Sequence, residues 1–455
     1  MPPQGCADRQ YVAGRPDRAA RSRSAANHQI ALANAGVAAL ASCMKAVVLG
    51  AGRMGRAAAW DLARQPGMTR VLLVDRDANL LTQAGKELER LLVDGQKDGR
   101  AARIEGATFD LERCVSDPAA LLPIVQGASV VLSSADYRFN EAITRACISA
   151  KIHMVDLGGN LFVVERQLAL SADAERAQIT VVPDCGLAPG MACLLGALGV
   201  EHFRPGRRDQ GHSATEQPEL AQHGSVENLK IRVGGLPAHP KPPLNYKLVF
   251  SVRGLTNEYL EPADVLRDGE LLRVPSLRDV ESLEFPAPYG TLEAFTTSGG
   301  CSTLPRTLAD RVRNLDYKTI RYPGHCAAFA GMQQIGLFSE EIRGGVQPRK
   351  FVEDLLESAL NDDDTDVVLV RVTLEGLKDG ARQRLTYEII DEHNPETGHS
   401  AMARTTAYPA AAIAYMLAAG AIDKHGVIPG ELCVPLGPFL SAVRARGIEV
   451  RERWE

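Results

Sequence analysis

The stretch Lys45-Ala46-Val47-Val48-Leu49-Gly50-Ala51-Gly52-Arg53-Met54-Gly55 decides the fold. A short apolar run, a glycine turn and an Ala-rich segment to about Gln65 read as strand, tight turn and helix. Each glycine has its own task. Gly50 permits the turn, Gly52 lets the backbone approach a pyrophosphate, and Gly55 lets helix and strand pack closely. The helix N-terminus then points its unpaired N–H groups at the phosphates. A second apolar run, Val71-Leu72-Leu73-Val74, ends at Asp75, 20 residues beyond Gly55. The dinucleotide fingerprint places an acid there for the ribose 2′-hydroxyl. Three glycines alone are a weak signal; with two strands, a helix and the acid in register they predict a dinucleotide site. Asp75 predicts NAD, because it repels a 2′-phosphate, although neighbouring Arg76 is of a type that holds one.

Outward from this unit the alternation continues. Helices are expected over residues 83–93, 140–150 and 165–177, and strands over 107–111, 129–132, 152–155 and 179–182. Such alternation predicts an α/β fold with a Rossmann-type, doubly wound parallel sheet, whose ligands sit at the carboxyl ends of the strands. That rim carries Asp110, Ser133, Ser134, Ala135, Tyr137, Asp156 and Asp184. Asp110, Ser133, Ser134 and Ala135 join the turn residues Gly50, Gly52, Arg53, Met54 and Gly55, and Asp75 and Arg76, as expected cofactor contacts.

From about residue 186 the pattern changes. β-type segments at 229–233, 246–252, 271–274, 292–296, 317–322, 367–374 and 384–390 follow one another with few helices between them. This predicts a second α+β domain with a mostly antiparallel sheet. Residues 205–224 and Asp362-Asp363-Asp364 read as polar loops. The Ala-rich helix over 401–420 is expected to pack back on the first domain. The expected division is therefore 44–185, rejoined by about 400–455, for the dinucleotide and 186–399 for substrate binding and oligomerisation.

The remaining composition narrows the function classes. The 455 residues are 45% hydrophobic and 24% charged, which argues against a disordered chain. Lys plus Arg number 51 and Asp plus Glu 56, giving a net charge of −5 and no basic signature for nucleic acid. No apolar run reaches the roughly 18 residues of a membrane span. The nine cysteines are widely spaced without C-x-x-C, and H-E-x-x-H is absent, so reduced thiols, no metal and a cytoplasmic setting are expected. Residues 1–43 are Arg-rich. A targeting peptide and a lipoprotein box at Leu40-Ala41-Ser42-Cys43 are weighed against a disordered extension, which is preferred because a strand starts at Met44 itself.

Several motifs together resemble the saccharopine dehydrogenase-like family, and within it the lysine 6-dehydrogenases most closely. They are VVLGAGRMG (47–55), VDLGGN (155–160), PDCGLAPGM (183–191), VGGLP (233–237), LEAFTTSGGCSTLPRT (292–307), LDYKTIRYPGH (315–325) and AMARTTAYP (401–409). The resemblance covers essentially everything from Met44 onward. It implies NAD-dependent oxidative deamination of the ε-amino group of L-lysine to 2-aminoadipate 6-semialdehyde, with release of ammonia, in a homodimer or homotetramer. Saccharopine dehydrogenation is the alternative, and a non-catalytic NAD-binding regulator is the alternative from another class.

This chemistry needs a cation for the substrate α-carboxylate, an acid or carbonyls for the α-ammonium, and a base near the nicotinamide. Tyr137 follows strand four and is a candidate to orient or deprotonate the amine, or a wall of the pocket. Asp156 ends strand five and is either a site acid or a helix cap. Asp184 is a candidate for the substrate or a turn former. Gly299 and Gly300 suggest close backbone approach. In saccharopine reductases an Arg in the segment matching Arg253 handles a substrate carboxylate; otherwise Arg253 is a surface residue at a strand end. Lys318 and Arg321 face opposite sides of one strand, and Arg321 is the chosen carboxylate partner. His325 is a possible base, or a structural histidine.

Overall fold

The computed structural model describes residues 43–95, 101–203 and 225–455. The extension expected over 1–43 (Cys43 apart) and the loop expected over 205–224 lie outside the described residues.

Six strands open the first sheet: β1 Met44–Leu49, β2 Met68–Asp75, β3 Arg103–Thr108, β4 Val130–Ser133, β5 His153–Asp156 and β6 Thr180–Val182. The sheet is parallel, in the order Gly426–Val427, β6, β5, β4, β1, β2, β3. Every residue of β4 is buried, as expected of a strand covered on both faces. The chain runs outward in opposite directions from β1 and β4, which are neighbours. The loops after these two strands therefore flank the crevice where a doubly wound sheet binds its ligand.

The helix Arg53–Ala63 lies tightly on the sheet because its inward residues are Gly55, Ala57, Ala58 and Ala59. Against it packs the helix Ala401–Ala418, with Tyr408 stacked on Trp60 at 5.7 Å between ring centroids. Ser400 caps that helix by accepting from the Ala403 N–H at 3.1 Å, and the Asp366 carboxylate takes the Ala401 and Met402 N–H groups at 2.7 and 2.9 Å. Four otherwise orphaned N–H groups open any helix; here three find acceptors.

The second sheet contains β7 Val226–Pro237, β8 Ala263–Arg267, β9 Glu270–Val274, β10 Arg278–Phe285, β11 Gly290–Thr296, β12 Val312–Arg321, β13 Asp366–Lys378 and β14 Ala381–Glu392. Its path is β10-β11-β12-β7-β13-β14 and then the C-terminal strand Arg451–Trp454, with β8 on β12 and β9 on β8. The β7–β12 pair is parallel and the other pairs are antiparallel. The fold is thus α/β with a second, mostly antiparallel sheet. Asp379 and Gly380, both at positive φ, turn β13 into β14, the pairing that a two-residue hairpin favours.

Several local expectations differ from the structure. Residues 246–252 form no strand: Tyr246 and Leu248 are drawn into an apolar cluster with Tyr259, Phe295 and Phe329, and Ser251 caps a helix, Val252–Leu260. Arg253 therefore opens a helix instead of following a strand. The helix expected over 165–177 is two, Leu161–Leu168 and Ser171–Arg176, because buried Leu170 interrupts the run. Asp362-Asp363-Asp364 does form the expected polar loop, with Asp362 paired to Lys241 at 3.2 Å and Asp364 to His239 at 2.8 Å. Finally, the tail divides between the sheets. Helix Ala401–Ala418 and Gly426–Val427 join the first, whereas Arg451–Trp454 pairs with β14 in the second.

Candidate functional site

The glycine turn after β1 has the shape a dinucleotide needs. Gly50 sits at φ +98°, and a Cβ on Gly55 would lie 1.8 Å from the Gly50 carbonyl oxygen. A Cβ on Gly52, by contrast, would meet nothing within 4 Å. Gly52 is exposed at the N-cap of helix Arg53–Ala63, with no side-chain cap and no acidic residue in the first turn. Open space over uncapped N–H groups is a fit for phosphate. Ser134 props the turn by donating to the Leu49 carbonyl at 2.8 Å, and the Ser133 hydroxyl is spent on Asn140 at 2.9 Å. Asp75 accepts from the Ala51 N–H at 2.8 Å and the Asp77 N–H at 3.0 Å, which pins it beside the turn. Arg53 and Arg76 are exposed, Met54 and Ala135 half-buried. Asp110 is exposed and accepts from the Glu112 N–H at 3.1 Å.

Across the crevice, helix Val252–Leu260 presents Asn257, and its C-cap Glu261, toward the loops after β4 and β5. The Asn257 amide donates to the Tyr137 hydroxyl at 2.7 Å, and Asn160 donates to Glu261 at 3.2 Å. Tyr137 also lies against Gly159, whose φ is +122° and where a Cβ would come within 3.3 Å of the ring. Burial pushes the Tyr137 phenol up, with the charges of Asp136 and Glu261 adding to it, so it is a hydrogen-bonding group at neutral pH. Asn257 is held in turn by Arg349, which also bonds Thr256 and Glu353.

Asp156 and Asp184 sit behind this surface. Asp156 is wholly buried and accepts from the Gly158 and Asp184 N–H groups at 2.8 and 3.1 Å and from Gln167 at 2.8 Å. It ties the ends of β5 and β6 together. Asp184 has φ +60° and receives the Ser302 hydroxyl. Burial and then the nearby Asp156 push its carboxyl up to about 8, against the pull of the Ser302 bond.

Arg321 ends β12 and is 2% exposed. Its Nε donates to the Tyr259 hydroxyl at 3.0 Å, its Nη1 to the Ile320 carbonyl at 2.9 Å, and it lies 4.7 Å over the Tyr246 ring. No carboxylate among the described residues pairs with it. His325 stands behind it. The Leu244 carbonyl can only accept, so Nδ1 carries the proton at 3.1 Å and Nε2 accepts from Tyr259 at 3.0 Å. Burial, then the charge of Arg321, push the imidazole down to about 3. Both its nitrogens are thus spent inside the fold. Arg253 is 49% exposed and divided between Glu340 at 2.7 Å and Glu353 at 3.3 Å. Lys318, on the opposite face of β12, pairs with Glu281 at 3.0 Å.

The structure therefore brings Tyr137 to the second-sheet half of the molecule, with Arg321 on β12 packed under the same helix through Tyr259. It withdraws Asp156 and His325 behind the surface and engages Arg253 elsewhere. Asn257, Glu258 and Arg349 escaped the sequence reading. The polar run Thr256-Asn257-Glu258-Tyr259 was the signal for the first two, hidden because 246–252 reads as strand. No group of three potential metal ligands occurs among the described residues, and no helix among them is long and apolar enough to cross a membrane.

Two family models match the chain. Residues 46–182 match the saccharopine dehydrogenase NADP binding domain and residues 186–448 the saccharopine dehydrogenase C-terminal domain. The chain belongs to the saccharopine dehydrogenase family. Among relatives within reach of this family member is the mitochondrial alpha-aminoadipic semialdehyde synthase of Rattus norvegicus, 24% identical over 234 residues. That match takes in 50% of this chain and 23% of the rat protein. The Arabidopsis thaliana synthase is 24% identical over 280 residues, 60% of this chain and 24% of that one. The chain thus spans about a quarter of the length of these curated relatives. Among solved structures, saccharopine dehydrogenase (L-Glu forming) of Saccharomyces cerevisiae superposes with a TM-score of 0.67. At 17% identity it covers 90% of this chain and 100% of its own, which shows a shared fold.

Proposed function

We propose that the protein is an NAD-dependent dehydrogenase that oxidises the ε-carbon of L-lysine. The observation that carries this reading is the supply of cations. Arg321 is buried without a carboxylate partner, an arrangement costly unless a ligand completes it. Arg253 and Lys318, the other candidates, are already engaged by Glu340, Glu353 and Glu281. Arg321, a buried cation with no carboxylate partner among the described residues, suits the single carboxylate of lysine. Saccharopine brings two more, on a glutarate attached to the ε-nitrogen. The family name favours saccharopine as a second reading, in which Arg253 would leave its glutamates for the substrate.

Gly52 and the N-terminus of helix Arg53–Ala63 would hold the pyrophosphate, and Asp75 the ribose hydroxyls. The carboxylate of Asp75 beside the turn supports NAD over NADP. When bound, the nicotinamide supplies the hydride acceptor. The protein's part is to orient. Asn257 fixes the Tyr137 hydroxyl from one side, leaving its proton and a lone pair for the substrate nitrogen. The ε-CH–NH2 group loses a hydride and a proton to give an imine. Water adds to the carbon, ammonia leaves, and the aldehyde remains. Steady-state rates with L-lysine and with saccharopine, each with NAD and NADP, test the assignment. The highest kcat/KM is expected for lysine with NAD; a preference for saccharopine overturns the substrate and a preference for NADP the cofactor.

A further inference from the structure

Glu258 is a carboxylate with no assigned task. It stands on helix Val252–Leu260 between Asn257, which holds Tyr137, and Glu261, which is held by Asn160. Its main chain is fixed, since the Ser298 N–H donates to its carbonyl at 2.9 Å. Its side chain is half-buried and reaches to 4.0 Å from where a Cβ on Gly299 would be, under a loop held open by Gly299 at φ +83°. It accepts no hydrogen bond and makes no ion pair among the described residues. Burial pushes its carboxyl up to about 7; Arg321 is the chief opposing influence and Glu261 adds to the rise.

Arg321 adjoins this helix, its Nε donating to the hydroxyl of Tyr259, the residue after Glu258, at 3.0 Å, while the glycine next to Gly299, Gly300, packs on the Tyr317 ring of the same strand β12; no ion pair joins Arg321 to Glu258. A buried guanidinium with no carboxylate partner beside a half-buried carboxylate with no donor is an expensive arrangement for a fold to keep empty. A dipolar ligand lying between them satisfies both. We propose that Arg321 and Glu258 form an α-amino-acid head-group site, Arg321 taking the carboxylate and Glu258 the ammonium. Asp184, the other acid that was a candidate for the substrate, receives the Ser302 hydroxyl instead. The side chain of the ligand then runs from this pair along the helix face toward Tyr137, where the reacting nitrogen is expected. The inference rests on the function proposed above only in taking the substrate to be an amino acid, because lysine and saccharopine share this head group.

The test is binding of ligands that have no nitrogen to oxidise. Calorimetric titration of the NADH complex with L-norleucine and with hexanoate compares the same carbon chain with and without the α-ammonium. The wild-type protein is expected to bind norleucine at least about tenfold more tightly, and Glu258→Gln to remove that preference while hexanoate affinity and melting temperature stay put. Arg321→Gln should weaken both ligands. Equal loss of both ligands in Glu258→Gln, an undiminished preference for norleucine, or no binding of norleucine by wild type each overturns the site. Turnover is read separately. Absent lysine oxidation with the norleucine preference intact sinks the lysine reading and leaves this one. Lysine oxidation with a preference that Glu258→Gln does not change does the reverse.

Discussion

Arg321 concentrates the residue-scale argument. A guanidinium at 2% exposure with no carboxylate beside it is stabilised by Tyr259, the Ile320 carbonyl and the Tyr246 face, all neutral groups. A charge-assisted bond to a substrate carboxylate is worth about 1.5 to 3 kcal/mol, or roughly 10- to 100-fold in binding. Arg321→Ala should therefore raise the KM for lysine by about that factor, with folding checked by circular dichroism; an unchanged KM removes Arg321 from the site. Arg253→Ala should leave lysine kcat/KM within about twofold, because Arg253 is half-exposed and its charge is already answered by Glu340 and Glu353; a severe loss would favour saccharopine. Asp184 makes a stability prediction. Its folded value of about 8 lies above the roughly 3.9 of an unfolded chain. Between these values unfolding releases a proton, so the group subtracts stability as pH rises through that window and no further above it. Asp184→Asn keeps an acceptor for Ser302 and tolerates positive φ. Its gain in melting temperature over wild type should grow from pH 5 to pH 8; a gain that stays flat across that range contradicts the burial argument.

At the scale of elements, β1, the glycine turn and helix Arg53–Ala63 were legible because their constraints are local. Gly55 is required by a 1.8 Å approach that any side chain would violate. Gly55→Ala should destabilise the protein by about 1 to 3 kcal/mol, as overpacking does, and weaken NADH binding, read by nucleotide fluorescence. A variant that binds NADH as wild type does would show that the turn yields. Residues 246–252 were not legible. Their apolar run has no local reason to avoid a strand; the cluster around Phe329 and the Ser251 cap decide the matter, and Phe329 is far away in sequence. That one misreading hid the helix bearing Asn257 and Glu258. The rim residues were legible as positions and not as roles, because whether Asp156 faces ligand or Gln167 depends on the packing of a neighbouring helix.

For the molecule as a whole, the C-terminal segment fastens the two sheets to each other. Arg446 reaches back to Asp61 at 2.9 Å, both side chains being buried, while Arg451–Trp454 extends the second sheet. Removing one partner of a buried pair costs about 3 to 5 kcal/mol, so Arg446→Ala should lower unfolding stability by that order in a denaturant titration; a change under about 1 kcal/mol would show the tail to be dispensable. The sheets so joined set Tyr137 against the helix that packs on Arg321, and the central claim is what passes between them: a lysine whose ε-nitrogen is cut free. The decisive measurement follows that nitrogen. With NAD and L-lysine labelled at the ε-nitrogen, NADH and labelled ammonia should appear in equal amounts. No NADH from lysine, together with NADH and glutamate from saccharopine, would contradict the account.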